Sequence, residues 1–179
     1  DELMNMILGN MEVQSLGDPN SFDVDIGPII NKTAHKKLKN YIASCRKKGM
    51  DVIETNQATC DKYIRPTLIS INKISDIKEE QFGPIVPILS FKDFDEVMTR
   101  ANDNDLGLAS YVYTTDLKKA NQASEKLETG CVAVNTPVVA VAEAPFGGIK
   151  QTGYGREGGS MAIKDYLNIK YTHFGISYE

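Results

Sequence analysis

Three glycines near the C-terminal end of the chain have the spacing of a dinucleotide-binding loop. They lie in the segment GYGREG, Gly153–Gly158, which reads G-x-G-x-x-G. Such glycines hold a pyrophosphate only where they join a strand to the helix that follows it, because the helix N-terminus supplies the N–H groups. Here the preceding residues, PFGGIKQT, are typical of a loop, and no strand with an acidic end follows about 20 residues later. The context favours a glycine-rich turn before a helix.

The segment KEEQFGP, residues 78–84, places adjacent carboxylates before an aromatic residue and a Gly-Pro turn. Two interpretations are open. In the structural one, acidic residues end a helix and Phe82 joins the core. In the functional one, a carboxylate accepts hydrogen bonds from both hydroxyls of a ribose, and the aromatic ring packs beside a second ring.

The segment APFGGIKQTGYGRE, residues 144–157, combines several glycines with two aromatic residues, which indicates a backbone that passes close to another group. It also carries Lys150, Arg156 and Glu157. Burying these charges would be costly without partners or a function. The segment is therefore a second candidate site.

Composition excludes several classes of function. The chain has 179 residues and a net charge of −4, which argues against an extended basic surface for nucleic acid. Cys45, Cys60 and Cys131 are too few and too irregular for a disulfide framework, and no metal-ligand spacing occurs. No apolar run approaches the roughly 20 residues that span a membrane, and the N-terminus does not resemble a signal peptide. We expect a cytoplasmic protein, either processed or part of a longer chain because it does not begin with Met.

Helical and strand patterns alternate along the chain. Apolar spacing predicts helices over residues 1–13, from Asn31 or Thr33 to about Gly49, over DFDEVMTRAND with Asp93 or Asp95 as cap, and over residues 115–130 with Thr115 as cap. Predicted strands are DVIE, TLISI, IVPILSF, SYVYT and CVAVN. This alternation predicts an α/β fold with a mostly parallel sheet covered on both faces.

Five segments in order resemble the C-terminal part of an aldehyde dehydrogenase, over essentially the whole chain. They are LGDPNSFDVDIGPIIN, PTLI with KEEQFGPIVPILSF, ANDNDLGLASYVYTTD, ETGCVAVN and PFGGIKQTGYGRE. The resemblance implies a three-layer α/β/α catalytic domain over residues 1–165 and a C-terminal oligomerisation strand over 166–179. It also implies an NAD or NADP cofactor held by an upstream Rossmann-like domain, so that GYGREG is not the cofactor site.

The resemblance assigns cofactor contacts to three residues. Glu80 is expected to bind the nicotinamide ribose, and Phe82 to lie against the side of the nicotinamide. Lys37 matches a position that helps to hold the same ribose. The family's usual Gln partner is replaced here by Ala34, which makes this contact the least supported of the three.

The resemblance also assigns substrate and proton-transfer roles. Phe146 is expected to line the substrate funnel, Glu157 to sit in a proton path, and Lys150 to help neutralise the carboxylates around Glu157. The C-terminal segment is most similar to the succinate-semialdehyde dehydrogenase-like branch. In that branch a Ser often binds the substrate carboxylate, whereas this chain has Ala140. The implied substrate is a small aldehyde, with a semialdehyde as one candidate.

One departure from the family concerns the nucleophile. The family's cysteine segment, of the type N-x-G-Q-x-C, does not occur in this sequence, and the three cysteines present are predicted to be structural or incidental. We therefore expect a fragment of an aldehyde dehydrogenase that is inactive by itself and forms a homo-oligomer, a dimer or tetramer. The alternative is a stand-alone, non-catalytic assembly domain derived from such an enzyme.

Overall fold

A computed structural model of the protein describes residues 2–57, 60–77 and 79–176, and the chain divides into two compact units between Ser90 and Phe91. The first unit contains helices α1 (Glu2–Glu12) and α2 (Lys32–Lys47) and strands β1 (Asp51–Glu54), β2 (Thr67–Ser70) and β3 (Ile85–Ile88). The second contains helices α3 (Phe94–Asn102) and α4 (Leu117–Lys126) and strands β4 (Leu106–Gly107), β5 (Ala109–Val112), β6 (Cys131–Val134) and β7 (Ile149–Lys150).

Helix α2 begins and ends where its sequence predicts. The side chain of Asn31 accepts a hydrogen bond from the Ala34 N–H at 2.8 Å, which satisfies one of the first free donors of the helix. The helix ends before Gly49, whose φ of +76° is a left-handed conformation that glycine adopts readily. One face of α2 is buried by Leu38, Ile42 and Cys45.

The core of the first unit joins that helical face to the sheet. Leu38, Ile42 and Cys45 cluster with buried residues on and around β2 and β3, among them Ile69 and Ile85. Ile69 is 0% exposed and Cys45 is 2% exposed. The thiol of Cys45 is thus part of the core, as its position on the apolar stripe predicts.

In the second unit, local signals set the ends of both helices. Asp93 is the N-cap of α3 and accepts from the Glu96 N–H at 2.9 Å, which confirms the prediction. The cap of α4 is Asp116, not Thr115, because its carboxylate accepts from the N–H groups of both Lys118 and Lys119. Helix α4 ends at Lys126, earlier than the predicted end near Gly130.

The α/β class is confirmed, but the described strands form three small sheets. Strand β2 pairs with β1 antiparallel and with β3 parallel, β5 pairs with β6 parallel, and β4 pairs with β7 antiparallel. The expectation of mostly parallel pairing is therefore wrong for two of the four strand pairs. Between β1 and β2 the sequence predicts a polar loop without a helix, whereas the crossover between parallel strands usually contains one.

The C-terminal segment does not form the predicted strand within this single chain. A short 3₁₀ helix, Ala162–Tyr166, is followed by residues 167–176 without helix or strand, and their side chains are exposed. Residues 177–179 of the predicted oligomerisation segment lie outside the described residues. Across the part of the chain that the structure describes, no helix has the length and apolarity needed to span a membrane.

Candidate active site

The glycine-rich loop folds back on its own backbone. Gly158 has φ +71°, and a Cβ atom at this position would lie 2.7 Å from the carbonyl oxygen of Ala144. A Cβ atom at Gly147 would lie 2.6 Å from the carbonyl oxygen of Gly155. Glycine is needed here because protein backbone occupies the space that a side chain would take. The structure thus supports the interpretation of GYGREG as a glycine-rich turn, and not as a phosphate-binding loop.

This folding pairs Phe146 with Glu157. The Phe146 N–H donates to the Glu157 carbonyl at 2.7 Å, and the Glu157 N–H donates to the Phe146 carbonyl at the same distance. Phe146 is partly buried and Glu157 is exposed. Two residues to which the resemblance assigns substrate and proton-transfer roles are therefore fixed side by side by two short backbone hydrogen bonds.

Lys150 has partners other than those expected. Its ammonium lies 2.6 Å from the Glu128 carboxylate and donates to the carbonyl oxygens of Asn102 and Asn104, at 3.1 and 3.0 Å. Among the described residues, Glu157 is not one of its partners. The ammonium instead binds the carbonyl of Asn102, the last residue of α3, where a positive charge is favourable, and the carbonyl of Asn104 just beyond the helix. The expected neutralisation of charge around Glu157 by Lys150 is not observed.

Arg156 also acts within the loop. Its guanidinium donates to the carbonyl oxygens of Gly148, at 2.9 Å, and Gly155, at 2.7 Å. The backbone N–H of Arg156 donates to the carboxylate of Asp165. The charge of Arg156 is used to hold together the two sides of the glycine-rich loop.

Ala140 lies in the loop that joins β6 to Phe146. Its side chain is exposed, and so are those of Val138, at 58%, and Val141, at 45%. This stretch presents a small apolar surface.

In the first unit, Lys37, Glu80 and Phe82 line one cavity of about 510 Å³. The resemblance implies that all three contact the same cofactor, and the structure brings them together around this cavity. Phe82 is 81% exposed, so the structural interpretation that placed it in the core is wrong. The ammonium of Lys37 lies 3.3 Å from the carboxylate of Glu79, so the ion pair forms with the neighbour of Glu80.

Two residues that the sequence analysis missed line the same cavity. Tyr41 lies one helical turn after Lys37, and burial, with the nearby Cys45 and Asp76, raises its pKa to about 12. Asp76 is buried, accepts a hydrogen bond from the Lys73 N–H and lies 3.7 Å from the ammonium of Lys48. The helical spacing between Lys37 and Tyr41 is a signal that could have identified the tyrosine.

No group of three His, Cys, Asp or Glu side chains in the described residues is arranged to hold a metal ion. Cys60 is exposed and Cys131 is partly buried.

The helices and small sheets, with a glycine-rich loop that joins Phe146 to Glu157, give the chain an α/β fold. The model of the aldehyde dehydrogenase family matches residues 1–172, and the chain belongs to that family. The chain is 40% identical over 167 residues to the succinate-semialdehyde dehydrogenase (NADP(+)) of Escherichia coli strain K12, which covers 90% of this chain and 34% of that protein. It is 39% identical over 165 residues to the glutarate-semialdehyde dehydrogenase of Pseudomonas aeruginosa, with the same coverage of both chains.

A solved structure agrees with these similarities. The crystal structure of succinate-semialdehyde dehydrogenase from Burkholderia pseudomallei superposes with a TM-score of 0.89 at 34% identity. The match covers 96% of this chain and 36% of that one. The chain therefore spans about a third of the length of the relatives that it matches.

Proposed function

We propose that the chain is part of the catalytic domain of an NAD(P)-dependent aldehyde dehydrogenase that oxidises a small aldehyde to the carboxylic acid. The observation that carries the proposal is the cavity of about 510 Å³ in which Lys37, Glu80 and Phe82 come together. Family membership indicates the reaction class. The cavity brings together a carboxylate, an aromatic ring and an ammonium group, which are suited to bind the cofactor that this reaction needs.

The residues of this cavity fit a ribose and an attached ring. An ionised carboxylate only accepts hydrogen bonds and has two oxygens, so Glu80 is suited to accept from both hydroxyls of a diol. The exposed ring of Phe82 offers an apolar face beside it. The ion pair between Lys37 and Glu79 is exposed and therefore weak, so the Lys37 ammonium can leave it and donate to a ribose oxygen. NAD(P)+ supplies the hydride acceptor when bound.

The residues that we propose for substrate contact and proton transfer, Phe146 and Glu157, belong to the second unit. In the proposed reaction a cysteine thiolate of the complete enzyme adds to the aldehyde carbonyl, the adduct would become a thioester by losing a hydride to the bound acceptor, and water would hydrolyse the thioester to the acid and the free thiol. Phe146 lines the substrate funnel, and the exposed carboxylate of Glu157 accepts a proton and passes it to solvent. Lys150 contributes to this path by holding the start of the loop to the end of α3, since its ammonium is engaged there.

The substrate is small. Val138, Ala140 and Val141 present an apolar wall without a hydroxyl group, which favours a short aldehyde. The two curated relatives described above are named as semialdehyde dehydrogenases, which keeps a carboxylate-bearing aldehyde as a candidate. The name of the relative from Escherichia coli specifies NADP(+), and we propose NAD or NADP for this protein.

A non-catalytic assembly domain is the second candidate, favoured by the exposed apolar residues of the C-terminal segment. The coding sequence upstream of Asp1 discriminates the two. A continuous reading frame that encodes a Rossmann-like half and an N-x-G-Q-x-C segment supports the enzyme. A start codon near Asp1 supports the assembly domain.

Kinetics of the complete enzyme test the cavity. Glu80→Gln should raise the KM for cofactor or lower the hydride-transfer rate, because a charged acceptor of hydrogen bonds is lost. The change should correspond to about 1–3 kcal/mol of binding or activation free energy. Glu125→Gln, which changes an exposed glutamate on α4, is the matched control and should leave both constants unchanged. The isolated 179-residue chain should produce no NADH or NADPH from any aldehyde. Wild-type kinetics in a folded Glu80→Gln variant would contradict the ribose role.

A further inference from the structure

Asn135, the first residue after β6, adopts an uncommon backbone conformation. Its φ is +54°, and only Lys150 shares a positive φ among the described non-glycine residues. Asn tolerates this left-handed region better than most residues. The N–H of Asn135 continues the pairing of the parallel strands, because it donates to the Val112 carbonyl at 2.8 Å. The chain then turns out of the sheet.

The side chain of Asn135 binds the backbone of the segment that follows the neighbouring strand β5. Its Oδ1 accepts from the Thr114 N–H at 2.9 Å, and its Nδ2 donates to the Thr114 carbonyl at 2.9 Å. These two bonds have opposite polarity, so neither a carboxylate nor an apolar side chain can form both. The amide thus holds Thr114, two residues after the end of β5, to the first residue after β6.

The loop that begins at Asn135 is anchored at its other end as well. The Gly159 N–H donates to the Ala142 carbonyl at 2.8 Å, and Phe146 is paired with Glu157. Between the two anchors, Val138, Ala140 and Val141 are exposed and Val139 is partly buried. The position of Ala140 therefore depends on both anchors.

We propose that Asn135 is a positioning residue that sets the substrate-facing loop 136–145, because it binds the start of this loop to Thr114, two residues after the end of β5. The inference rests on the proposed function, because it takes Ala140 to face the aldehyde. Asn135 acts through the loop and does not contact substrate or cofactor. Its amide and its left-handed backbone are both needed, and Asn supplies the two together.

Two substitutions separate the clamp from the backbone conformation. Asn135→Gly keeps the positive φ at no steric cost and removes both side-chain bonds, whereas Asn135→Ala removes the bonds and disfavours the φ. In the complete enzyme, both should raise the KM for aldehyde about tenfold and leave the KM for cofactor within twofold. The melting temperature should fall in the Ala variant and be largely regained in the Gly variant.

Hydrogen–deuterium exchange gives a readout that does not depend on activity. In both variants the amides of residues 136–145 should exchange faster, while those of β5 and β6 keep the wild-type rates. The proposal is overturned by an unchanged KM for aldehyde, by a parallel rise of both KM values, or by unchanged exchange in the loop. If the wild-type enzyme oxidises no aldehyde, the proposed function fails, and the exchange rates alone decide the positioning role.

Discussion

The two units differ in how they bury apolar side chains. In the first, large aliphatic residues such as Leu38, Ile69 and Ile85 form a closed core. In the second, the buried apolar side chains among the described residues are three alanines: Ala120, Ala123 and Ala133. Many of its large apolar residues are exposed, among them Leu117, Tyr154, Ile169 and Phe174.

This difference indicates that the stability of the second unit depends more on its surroundings than the stability of the first. A unit with a closed core of large side chains draws its stability from its own packing. Exposed apolar surface on this scale marks regions that contact another part of a protein or a partner. We expect the first unit to resist changes outside its core and the second to respond to whatever covers it.

The largest expected effect is in the core of the first unit. Ile69→Ala should lower the free energy of unfolding by about 2–5 kcal/mol, because it leaves a cavity around a side chain that is 0% exposed. Leu117→Ala, at a residue of the second unit that is 75% exposed, should change it by less than about 0.5 kcal/mol. Urea denaturation of the isolated chain measures both. Equal losses of unfolding free energy in the two variants would contradict the difference between the closed core of the first unit and the exposed apolar residues of the second.

Alkaline pH should weaken the first unit through Tyr41. Burial favours the neutral hydroxyl and raises the pKa to about 12, whereas an unfolded tyrosine titrates near about 10. The stabilising contribution is therefore fully present below about pH 10 and is lost as the pH rises from about 10 towards 12. Tyr41→Phe should flatten this part of the stability profile. Denaturation of both proteins between about pH 9 and 12 checks the prediction, and an identical slope in the variant would contradict it.

In the second unit, a change at Ala140 should alter specificity and not stability. Ala140→Ser in the complete enzyme should improve kcat/KM for a short carboxylate-bearing aldehyde about tenfold relative to an apolar one, because a hydroxyl adds a donor to an apolar wall. Ala142→Ser, at an exposed residue of the same loop, is the control and should keep the wild-type ratio. An unchanged ratio for both would mean that Ala140 does not line the pocket.

The smallest effect should appear in self-association. We expect the isolated chain to form a dimer or larger assembly at micromolar concentration by pairing residues 168–176 between copies, since a strand with no partner exposes its N–H and C=O groups. Tyr171→Pro removes one donor and should weaken association about fivefold, whereas Tyr171→Val keeps the N–H. Light scattering measures the mass. A monomeric wild-type chain would refute the prediction.

Local signals predicted much of the first unit. Asn31 and Gly49 bound α2 because a capping side chain and a left-handed glycine act on backbone within a few residues. The segment DVIE forms β1 with the predicted limits. The same reasoning chose the wrong cap for α4, since Thr115 and Asp116 are adjacent and both can accept.

The candidate site was predicted less completely. The resemblance named Lys37, Glu80 and Phe82, and the structure places all three around one cavity. It did not identify Tyr41 or Asp76, because their place in that cavity depends on how α2 packs against the segment that follows β2. The functional roles of the named residues stay predictions.

The sequence by itself determined the residue types, the limits of most helices and strands, and the family. Only the tertiary structure decided which groups form hydrogen bonds and ion pairs with each other. The ammonium of Lys150 binds Glu128 and the end of α3, although Glu157 is much closer to it in sequence than Glu128. Phe146 pairs with Glu157 because glycines let the intervening backbone fold back on itself. Propensity and capping act over a few residues, whereas long side chains and loop backbone pair with whatever the fold brings within hydrogen-bonding distance.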